Sequence, residues 1–309
     1  MIYTVTLNPA LDRTLHVESL APGQSTRIRS EARFAGGKGI DVSRALREIS
    51  SDSVALGLVG GFDGKELEGR LLLSGVACRF THIANETRTN IIVQDESNGT
   101  ETALLARGPE VQPSELMDFL DIQEKSPDMA FLVISGSLPP GLTPEVYSRM
   151  ITIGNERGAK VVLDTAGEAL RQSIRARPSV IKPNRLELAE LAGKALPDIH
   201  AITDYAVGLL DWVETVLVSM GADGIVMITK GQAVHARPPE VTAKSTVGAG
   251  DCAVAGFVHG MAVGESNTDA LRRAVATGSA ATLNAGTGLC RCADIDAILP
   301  QVTIVEVKR

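Results

Sequence analysis

The segment 245–256 places two glycines and an acidic residue where a helix is predicted to begin. Gly248 and Gly250 permit tight backbone geometry, and free N–H groups at such a helix start bind anions such as a phosphate. Asp251 follows directly, and a carboxylate beside an anion site is unfavourable unless it accepts a proton. A hydroxyl that attacks phosphorus needs that acceptor. The segment therefore predicts a phosphoryl-transfer site with Asp251 as its base, with simple helix capping by Asp251 as the alternative.

Two other phosphate-binding patterns fit the chain poorly. Residues 248–253 match the dinucleotide fingerprint G-x-G-x-x-A, but that fingerprint requires an apolar strand immediately before it. The preceding segment contains Pro238, Pro239 and several charged residues, which make a poor core strand. The Walker A pattern is absent from the sequence. A phosphotransferase of another type is therefore favoured over a dinucleotide-dependent oxidoreductase.

A second glycine-rich segment precedes another predicted helix, at 34–42. Gly37 and Gly39 flank Lys38, and backbone amides together with a lysine can hold an anionic sugar or a phosphate. The same residues also suit an ordinary turn between a strand and a helix.

The third segment, 180–187, is a short strand followed by the start of a helix. Asn184 and Glu187 lie one turn apart on that helix, where they can orient a hydrated Mg²⁺ beside nucleotide phosphates. The same spacing is that of a capping box, and the two roles are compatible.

These segments lie in a chain in which short apolar strands alternate with amphipathic helices. Such a βαβα order is typical of a mostly parallel sheet covered on both faces. The predicted strands are 2–6, 54–59, 130–134, 161–163, 180–181, 215–218 and 225–228. The predicted helices lie near 38–50, 64–74, 143–157, 184–192 and 203–212, with two more in 249–284.

Residues 12–34 and 88–105 depart from this alternation because their strand patterns have almost no helix between them. A turn at 95–99 predicts a hairpin in the second of these stretches. The strands either extend the edge of the main sheet or form a small β lid over an active site or at a dimer interface.

Composition excludes several classes of function. The 309 residues carry a net charge of −7 and only 3% aromatic residues, which disfavours binding to nucleic acid or to an anionic membrane. The five histidines have no metal-ligand spacing, and the four cysteines suit a reduced chain. The N-terminus lacks the features of a signal peptide, and no apolar run reaches membrane-spanning length. We therefore expect a cytoplasmic protein.

Taken together and in this order, the motifs resemble those of the PfkB family of sugar kinases. The resemblance rests on Gly36-Gly-Lys-Gly39, Ser135-Gly-Ser-Leu-Pro-Pro-Gly141, Lys182-Pro-Asn184, Val218-Ser-Met-Gly221 and Ser245-Thr-Val-Gly-Ala-Gly-Asp251. It implies an α/β fold of the ribokinase-like, three-layer type with a mostly parallel central sheet, a small β-sheet lid and one domain over 1–309. It also implies ATP and Mg²⁺ as cofactors, with K⁺ as a further candidate. We expect a homodimer formed through the lid, because an isolated small sheet would leave its outer face exposed to water.

Within the family the chain is similar to the branch that phosphorylates phosphosugars. The opening Thr6-Leu-Asn-Pro-Ala-Leu-Asp12 and the lysine of the Gly-Gly-Lys-Gly motif are typical of that branch. The implied reaction is ATP-dependent phosphorylation of a ketohexose phosphate, with fructose 1-phosphate as the expected substrate. Tagatose 6-phosphate and fructose 6-phosphate are the alternatives, and a nucleotide-binding regulator without activity is an alternative of a different class.

The resemblance also implies a role for each matching residue. Asp251 would be the base, with Gly248, Ala249 and Gly250 as the anion site. The substrate would be held by Asp12, Gly37, Lys38, Gly39, Asp41, Arg27, Arg88 and Ser137, of which Lys38, Arg88 and Arg27 would hold its phosphate. The ATP site would be lined by Lys182, Asn184, Ser219, Gly221, Gly224 and Asn284. Glu187 would act on Mg²⁺ through water, and a monovalent cation would lie near Ser245, Val247, Ala281, Asn284 and Gly286.

Asp41 departs from the family pattern, which usually has Asn at this position. An amide donates and accepts hydrogen bonds, whereas a carboxylate only accepts them. Asp41 can accept from a sugar hydroxyl but repels a nearby phosphate. The alternative is that Lys38 or a nearby arginine neutralises it.

Overall fold

The computed structural model describes residues 1–284 and 288–308. Its strands are β1 (Ile2–Thr6), β2 (Ala10–Val17), β3 (Ile28–Gly36), β4 (Ser53–Gly60), β5 (Ala77–Ile83), β6 (Arg88–Asp95), β7 (Thr100–Leu104), β8 (Phe131–Ser135), β9 (Lys160–Asp164), β10 (Val180–Ile181), β11 (Thr215–Ser219), β12 (Ile225–Thr229), β13 (Ala233–Arg237) and β14 (Thr303–Glu306). Its α-helices are α1 (Lys38–Glu48), α2 (Gly61–Leu73), α3 (Pro113–Glu124), α4 (Glu145–Glu156), α5 (Gly167–Ser173), α6 (Arg185–Ala192), α7 (Ile199–Leu209), α8 (Ala249–Ala262), α9 (Asn267–Thr282) and α10 (Cys292–Ile298).

Ten strands form the main sheet, in the order β14-β13-β12-β11-β10-β9-β8-β1-β4-β5. The strands from β11 to β5 are parallel, whereas β12, β13 and β14 continue the sheet in antiparallel pairs. The predicted mostly parallel sheet is therefore confirmed, with an antiparallel edge.

Helices cover both faces of this sheet because its strands are apolar on both sides. Tyr3 and Val5 of β1 pack in the core that includes residues of α3 to α7, whereas Ile2 packs in the core that includes residues of α1, α8, α9 and α10. Helix α2 packs through Leu67 and Leu71 beside residues of α1 and β4. The result is the expected three-layer arrangement.

The remaining four strands form a separate small sheet, in the order β3-β2-β6-β7. Strands β6 and β7 are the predicted hairpin, and β2 pairs with both β3 and β6. The small sheet therefore is not an edge extension of the main sheet, which was the alternative. It joins the main body where β1 leads into β2 and where β3 leads into α1.

Strand β1 lies between β4 and β8. From β1 the chain first adds β4 and β5 on one side and later adds β8, β9 and β10 on the other side, so the strand order reverses at β1. Open α/β sheets bind ligands at such a point, beyond the carboxyl ends of the strands. Helices α1 and α8, which the sequence predicts to begin beside anion sites, pack against each other. No helix in the part of the chain that the structure describes is long and apolar enough to cross a membrane.

Candidate active site

Asp251 lies in the first turn of α8 and is buried, with 7% of its surface exposed. Gly248 caps this helix in the left-handed conformation at φ 74°, which a glycine adopts without steric cost. Burial raises the pKa of the Asp251 carboxyl well above its ordinary value, and the charges of Asp41 and Asp164 add to the effect. Lys38 and Lys182 act in the opposite direction. The group is thus a carboxyl with raised proton affinity at a helix N-terminus.

Asp164, at the end of β9, is a site residue that the sequence analysis did not single out. Its carboxylate is 1% exposed, and Oδ1 lies 3.2 Å from Nζ of Lys182 and 3.8 Å from Nζ of Lys38. Among the described residues neither carboxylate oxygen accepts a well-formed hydrogen bond. The charge of Asp164 is the main reason that the pKa of Lys38 is raised. The only signal in the sequence was its position directly after a buried strand.

Lys182 connects this pair with the predicted anion site. It follows β10, is 5% exposed, and its Nζ lies 3.5 Å from the point where a side chain at Gly250 would begin. The ammonium group and the N–H groups of the α8 N-terminus therefore face the same space, and both favour an anion there.

Asp12 and Asp41 form the next part of the site, where β2, β3 and α1 meet. Asn90 donates from Nδ2 to Oδ1 of Asp12 over 2.8 Å, while burial raises the pKa of Asp12. Arg44 donates to Oδ1 of Asp41 over 2.8 Å, which is the neutralisation by an arginine that the sequence left open. Burial nevertheless raises the pKa of Asp41 to about 6.

The glycines that precede α1 allow its backbone to lie close to these groups. Gly36 packs against the carboxyl group of Asp12, and Gly37 caps α1 at φ 125°. A side chain at Gly39 would begin 2.7 Å from Oγ1 of Thr6, whose hydroxyl accepts from the N–H of Ile40. The motif therefore holds the start of α1 against the end of β1.

Arg88 lies at the first position of β6, and its guanidinium group faces backbone carbonyls rather than carboxylates. It donates to the carbonyls of Asn8 over 2.8 Å and of Ala106 over 2.7 Å, with a longer contact to that of Pro9. Burial lowers its pKa, and Asp12 raises it. Asn8 also donates to Oγ of Ser137 over 3.4 Å, so the structure brings the loop after β8 beside Arg88.

Asn8 is a second residue that the sequence analysis missed. Its Oδ1 is buried without a hydrogen-bond partner in the described part of the chain, and Gly108 packs against it at φ 99°. A carbonyl oxygen left unpaired in this way is suited to a donor from a bound ligand.

Arg27, by contrast, lies outside this group. It is exposed and directly precedes β3, at the end opposite to Gly36. Gly36 is eight residue steps along the strand from Ile28, which corresponds to about 26 Å. Within one chain the structure does not bring Arg27 to Lys38.

The residues expected to line ATP meet at the ends of β10 and β11. Asn184 accepts the N–H of Glu187 over 2.9 Å and returns its own N–H to Oε2 of Glu187 over 2.8 Å, which confirms the capping box. Ser219 pairs with Asn184 as an isolated parallel bridge. Gly221 and Gly224 follow in a tight turn, both with positive φ. These residues therefore form one continuous edge next to Lys182.

The expected ligands of a monovalent cation lie on two segments that the backbone joins. The backbone N–H of Lys244 donates to the carbonyl of Thr282 over 2.7 Å, which holds the loop of Ser245 and Val247 against the end of α9. Asn284 follows α9 and donates from Nδ2 to the carbonyl of Leu289 over 2.9 Å. Ala281 lies in the last turn of α9, and Gly286 lies outside the described residues.

A divalent cation at this edge would need ligands from a substrate. Among residues 1–284 and 288–308 no group of three or more His, Cys, Asp or Glu side chains surrounds a common point. The Asp164 carboxylate, which faces two lysines but accepts no well-formed hydrogen bond in the described part of the chain, nevertheless fits Mg²⁺. This cation usually binds through one or two carboxylates, waters and substrate phosphates. Glu187 offers its second carboxylate oxygen from the start of α6.

Comparisons with known proteins agree with this arrangement. The pfkB family carbohydrate kinase model matches residues 6–293. The chain is 33% identical to the 1-phosphofructokinase of Bacillus subtilis (strain 168) over 308 residues, which covers 99% of this chain and all of that protein. The structure superposes on phosphofructokinase-2 from Escherichia coli in complex with potassium with a TM-score of 0.94 at 31% identity, covering 97% and 98% of the two chains. It also superposes on an Arabidopsis thaliana ribokinase with a TM-score of 0.77 at 19% identity, covering 96% and 98%, which shows the ribokinase-like fold.

Proposed function

The chain belongs to the PfkB family of carbohydrate kinases and is a phosphotransferase, and from that premise we propose its substrate and the role of each site residue. The proposed reaction is transfer of the γ-phosphoryl group of MgATP to the free primary hydroxyl of fructose 1-phosphate, which gives fructose 1,6-bisphosphate and ADP. The relative from B. subtilis, which this chain matches over its full length, is named for this activity.

The observation that carries the proposal is the buried carboxyl of Asp251 at the N-terminus of α8. A base is needed to take the proton of the attacking hydroxyl, and burial gives this carboxyl the raised proton affinity that the step requires. The N–H groups at 248–250 and Lys182 would stabilise the charge on the phosphoryl group during its transfer. Acceptor and anion site are thus adjacent.

At the nucleotide side, the turn from Ser219 to Gly224 and the start of α6 would hold ATP. Asp164 and Glu187 would hold Mg²⁺, directly or through water. When bound, this cation neutralises charge on the phosphates. A K⁺ ion near Ser245, Val247, Ala281 and Asn284 is proposed by similarity to the relative crystallised with potassium.

At the sugar side, two carboxylates and two cations have separate tasks. Asp12 and Asp41 would accept hydrogen bonds from sugar hydroxyls, while Arg88 and Lys38 would hold the phosphate already on the substrate. Ser137 would add a donor to that phosphate. The backbone carbonyls that accept hydrogen bonds from Arg88 fix the orientation of its planar guanidinium group. Binding of a phosphate would therefore cost little side-chain entropy.

We further propose that the small sheet acts as a lid on one kinase domain that spans 1–309. Closure over the substrate would exclude water from the transfer site and so suppress hydrolysis of ATP. A homodimer through this sheet would cover Ile28 and Leu104, which are 50% and 58% exposed. A cytoplasmic location fits the four unpaired cysteines.

A coupled assay of ADP release tests the proposed substrate. Fructose 1-phosphate, tagatose 6-phosphate and fructose 6-phosphate are compared at saturating MgATP, each as kcat/KM. The proposal expects the highest value for fructose 1-phosphate. A higher value for either 6-phosphate would assign the alternative substrate, and no turnover with any of the three would favour the nucleotide-binding regulator.

A further inference from the structure

His235 lies on β13, outside the groups assigned above to the substrates, and makes a hydrogen bond to the turn that follows β11. Its side chain is buried, and its Nε2 lies 2.6 Å from the carbonyl oxygen of Asp223. Asp223 is part of the short 3₁₀ turn between Gly221 and Gly224. The imidazole thus joins the antiparallel edge of the main sheet to the turn expected to line ATP.

The protonation of the ring follows from its second contact. Arg237 donates from Nε to Nδ1 of His235 over 3.1 Å, and a guanidinium group only donates. Nδ1 must therefore carry the lone pair, so the proton lies on Nε2 and is donated to Asp223. Burial lowers the pKa of His235, which agrees with a neutral ring.

The turn itself depends on contacts from β13 at two adjacent points. Gly224, at φ 87°, lies so close to the carbonyl of Ala236 that no larger residue fits there. Inside the turn, Met220 donates its N–H to the carbonyl of Gly224 over 2.8 Å. The Asp223 carbonyl is thus fixed by the imidazole from outside while the turn is closed from within.

We propose that His235 is a positioning residue for the nucleotide, acting through Asp223 on the Ser219–Gly224 turn. This inference rests on the proposed function, because that function assigns the turn to ATP. Substitution of a residue with only a structural role would lower stability and change the affinities for both substrates alike. A positioning residue for the nucleotide changes the affinity for ATP and leaves the phosphosugar unaffected.

The experiment compares three variants by steady-state kinetics and by calorimetric titration with MgATP in the absence of sugar. His235→Phe keeps much of the ring volume and removes the donor, and we expect KM and Kd for ATP to rise about tenfold. His235→Gln restores an N–H at a similar reach, and we expect it to remain within roughly threefold of the wild type. His200→Phe, at an exposed position of α7, serves as the matched control and should change neither constant.

Three results would overturn the inference. These are an unchanged ATP affinity in His235→Phe, an equal rise in KM for ATP and phosphosugar, and a Gln variant that is as impaired as the Phe variant. If His235→Phe does not fold, Arg237→Leu replaces it. Loss of the donor that fixes the ring should then raise KM for ATP about threefold, and no change would contradict the inference. Absence of MgATP binding by the wild type would instead refute the proposed function itself.

Discussion

The charged residues at the carboxyl edge of the main sheet, where its parallel strands end, and those on the exposed surface of the small four-stranded sheet lie in opposite environments. At the edge, Asp164, Lys182 and Asp251 are at most 7% exposed, and the Asp164 oxygens lack well-formed hydrogen bonds in the described part of the chain. On the surface of the small sheet, Glu31 lies between Arg13 and Arg33, and both of its carboxylate oxygens accept hydrogen bonds from these arginines.

The pKa values of Asp251 and Glu31 are shifted in opposite directions. Burial raises the pKa of Asp251, whereas hydrogen bonds from Arg13 and Arg33 lower the pKa of Glu31 to about 2. A buried carboxyl with few hydrogen-bond partners binds a proton readily and can act as a base. An exposed carboxylate between two arginines binds a proton weakly and forms surface ion pairs. We infer that catalysis belongs to the edge and that the small sheet contributes recognition and closure.

The largest expected effect comes from Asp251→Asn. The amide keeps the shape of the side chain but cannot accept the proton, so kcat should fall by on the order of 10²–10⁴. The affinity for MgATP, measured by calorimetry, should remain near that of the wild type. A variant with near wild-type kcat would remove Asp251 from the catalytic role.

Arg88 tests the recognition side of the comparison. Arg88→Ala should raise KM for the phosphosugar on the order of 100-fold at saturating MgATP, because a charge-assisted contact to phosphate is lost. Arg88→Lys should recover only part of this loss, since an ammonium group lacks the planar fork. Unchanged phosphosugar kinetics in the Ala variant would refute both its phosphate contact and the lid argument.

Lys38 sharpens the boundary between the two regions, because it faces Asp164 at the edge yet begins the helix that follows the small sheet. Lys38→Met should raise KM for the phosphosugar roughly 30-fold and KM for ATP far less. Initial rates with each substrate varied in turn give both values. An equal rise in the two would assign Lys38 to the nucleotide or to the local fold.

A smaller effect is expected on the pH dependence. The base must be deprotonated, so kcat/KM should fall as pH decreases through the raised pKa of Asp251. The negative charge of Asp41 contributes to that raised pKa, and Asp41→Asn removes it. The acid limb of the pH profile should therefore move to lower pH in this variant. A limb that stays in place or moves upward would show that Asp41 does not act on the base.

The smallest effect is expected in the surface of the small sheet. Glu31→Gln breaks an exposed ion-pair cluster, so the melting temperature should shift by no more than about 2 °C and kcat should not change. Differential scanning calorimetry and the coupled assay measure these two quantities. A marked loss of kcat would mean that the surface cluster controls closure.

The sequence predicted the alternating elements of the core because burial on both faces leaves continuous apolar strands. It missed β5, β13 and β14, whose residues alternate with polar side chains or lie near the sheet edges. Helix α3 was missed as well, because its N-cap is Gln112 and not one of the residues that usually occupy this position.

For the site, motifs predicted the residues that lie next to glycines or prolines. Asp164 and Asn8 were missed because each depends on contacts from distant segments; 125 residues lie between Lys38 and Asp164 in the chain. The pairing of Asp41 with Arg44 was left open by the sequence and is fixed by their spacing on one face of α1. The contacts of Asp164 and Asn8, by contrast, join segments that are distant in the chain and carry no local signal.

The most direct test of the division between the two regions is one set of initial-rate measurements on wild type, Asp251→Asn and Arg88→Ala, with fructose 1-phosphate varied at saturating MgATP. The account predicts that Asp251→Asn lowers kcat with little change in KM, and that Arg88→Ala raises KM with little change in kcat. If both substitutions change the same constant by similar factors, catalysis and recognition are not divided between the edge of the main sheet and the small sheet.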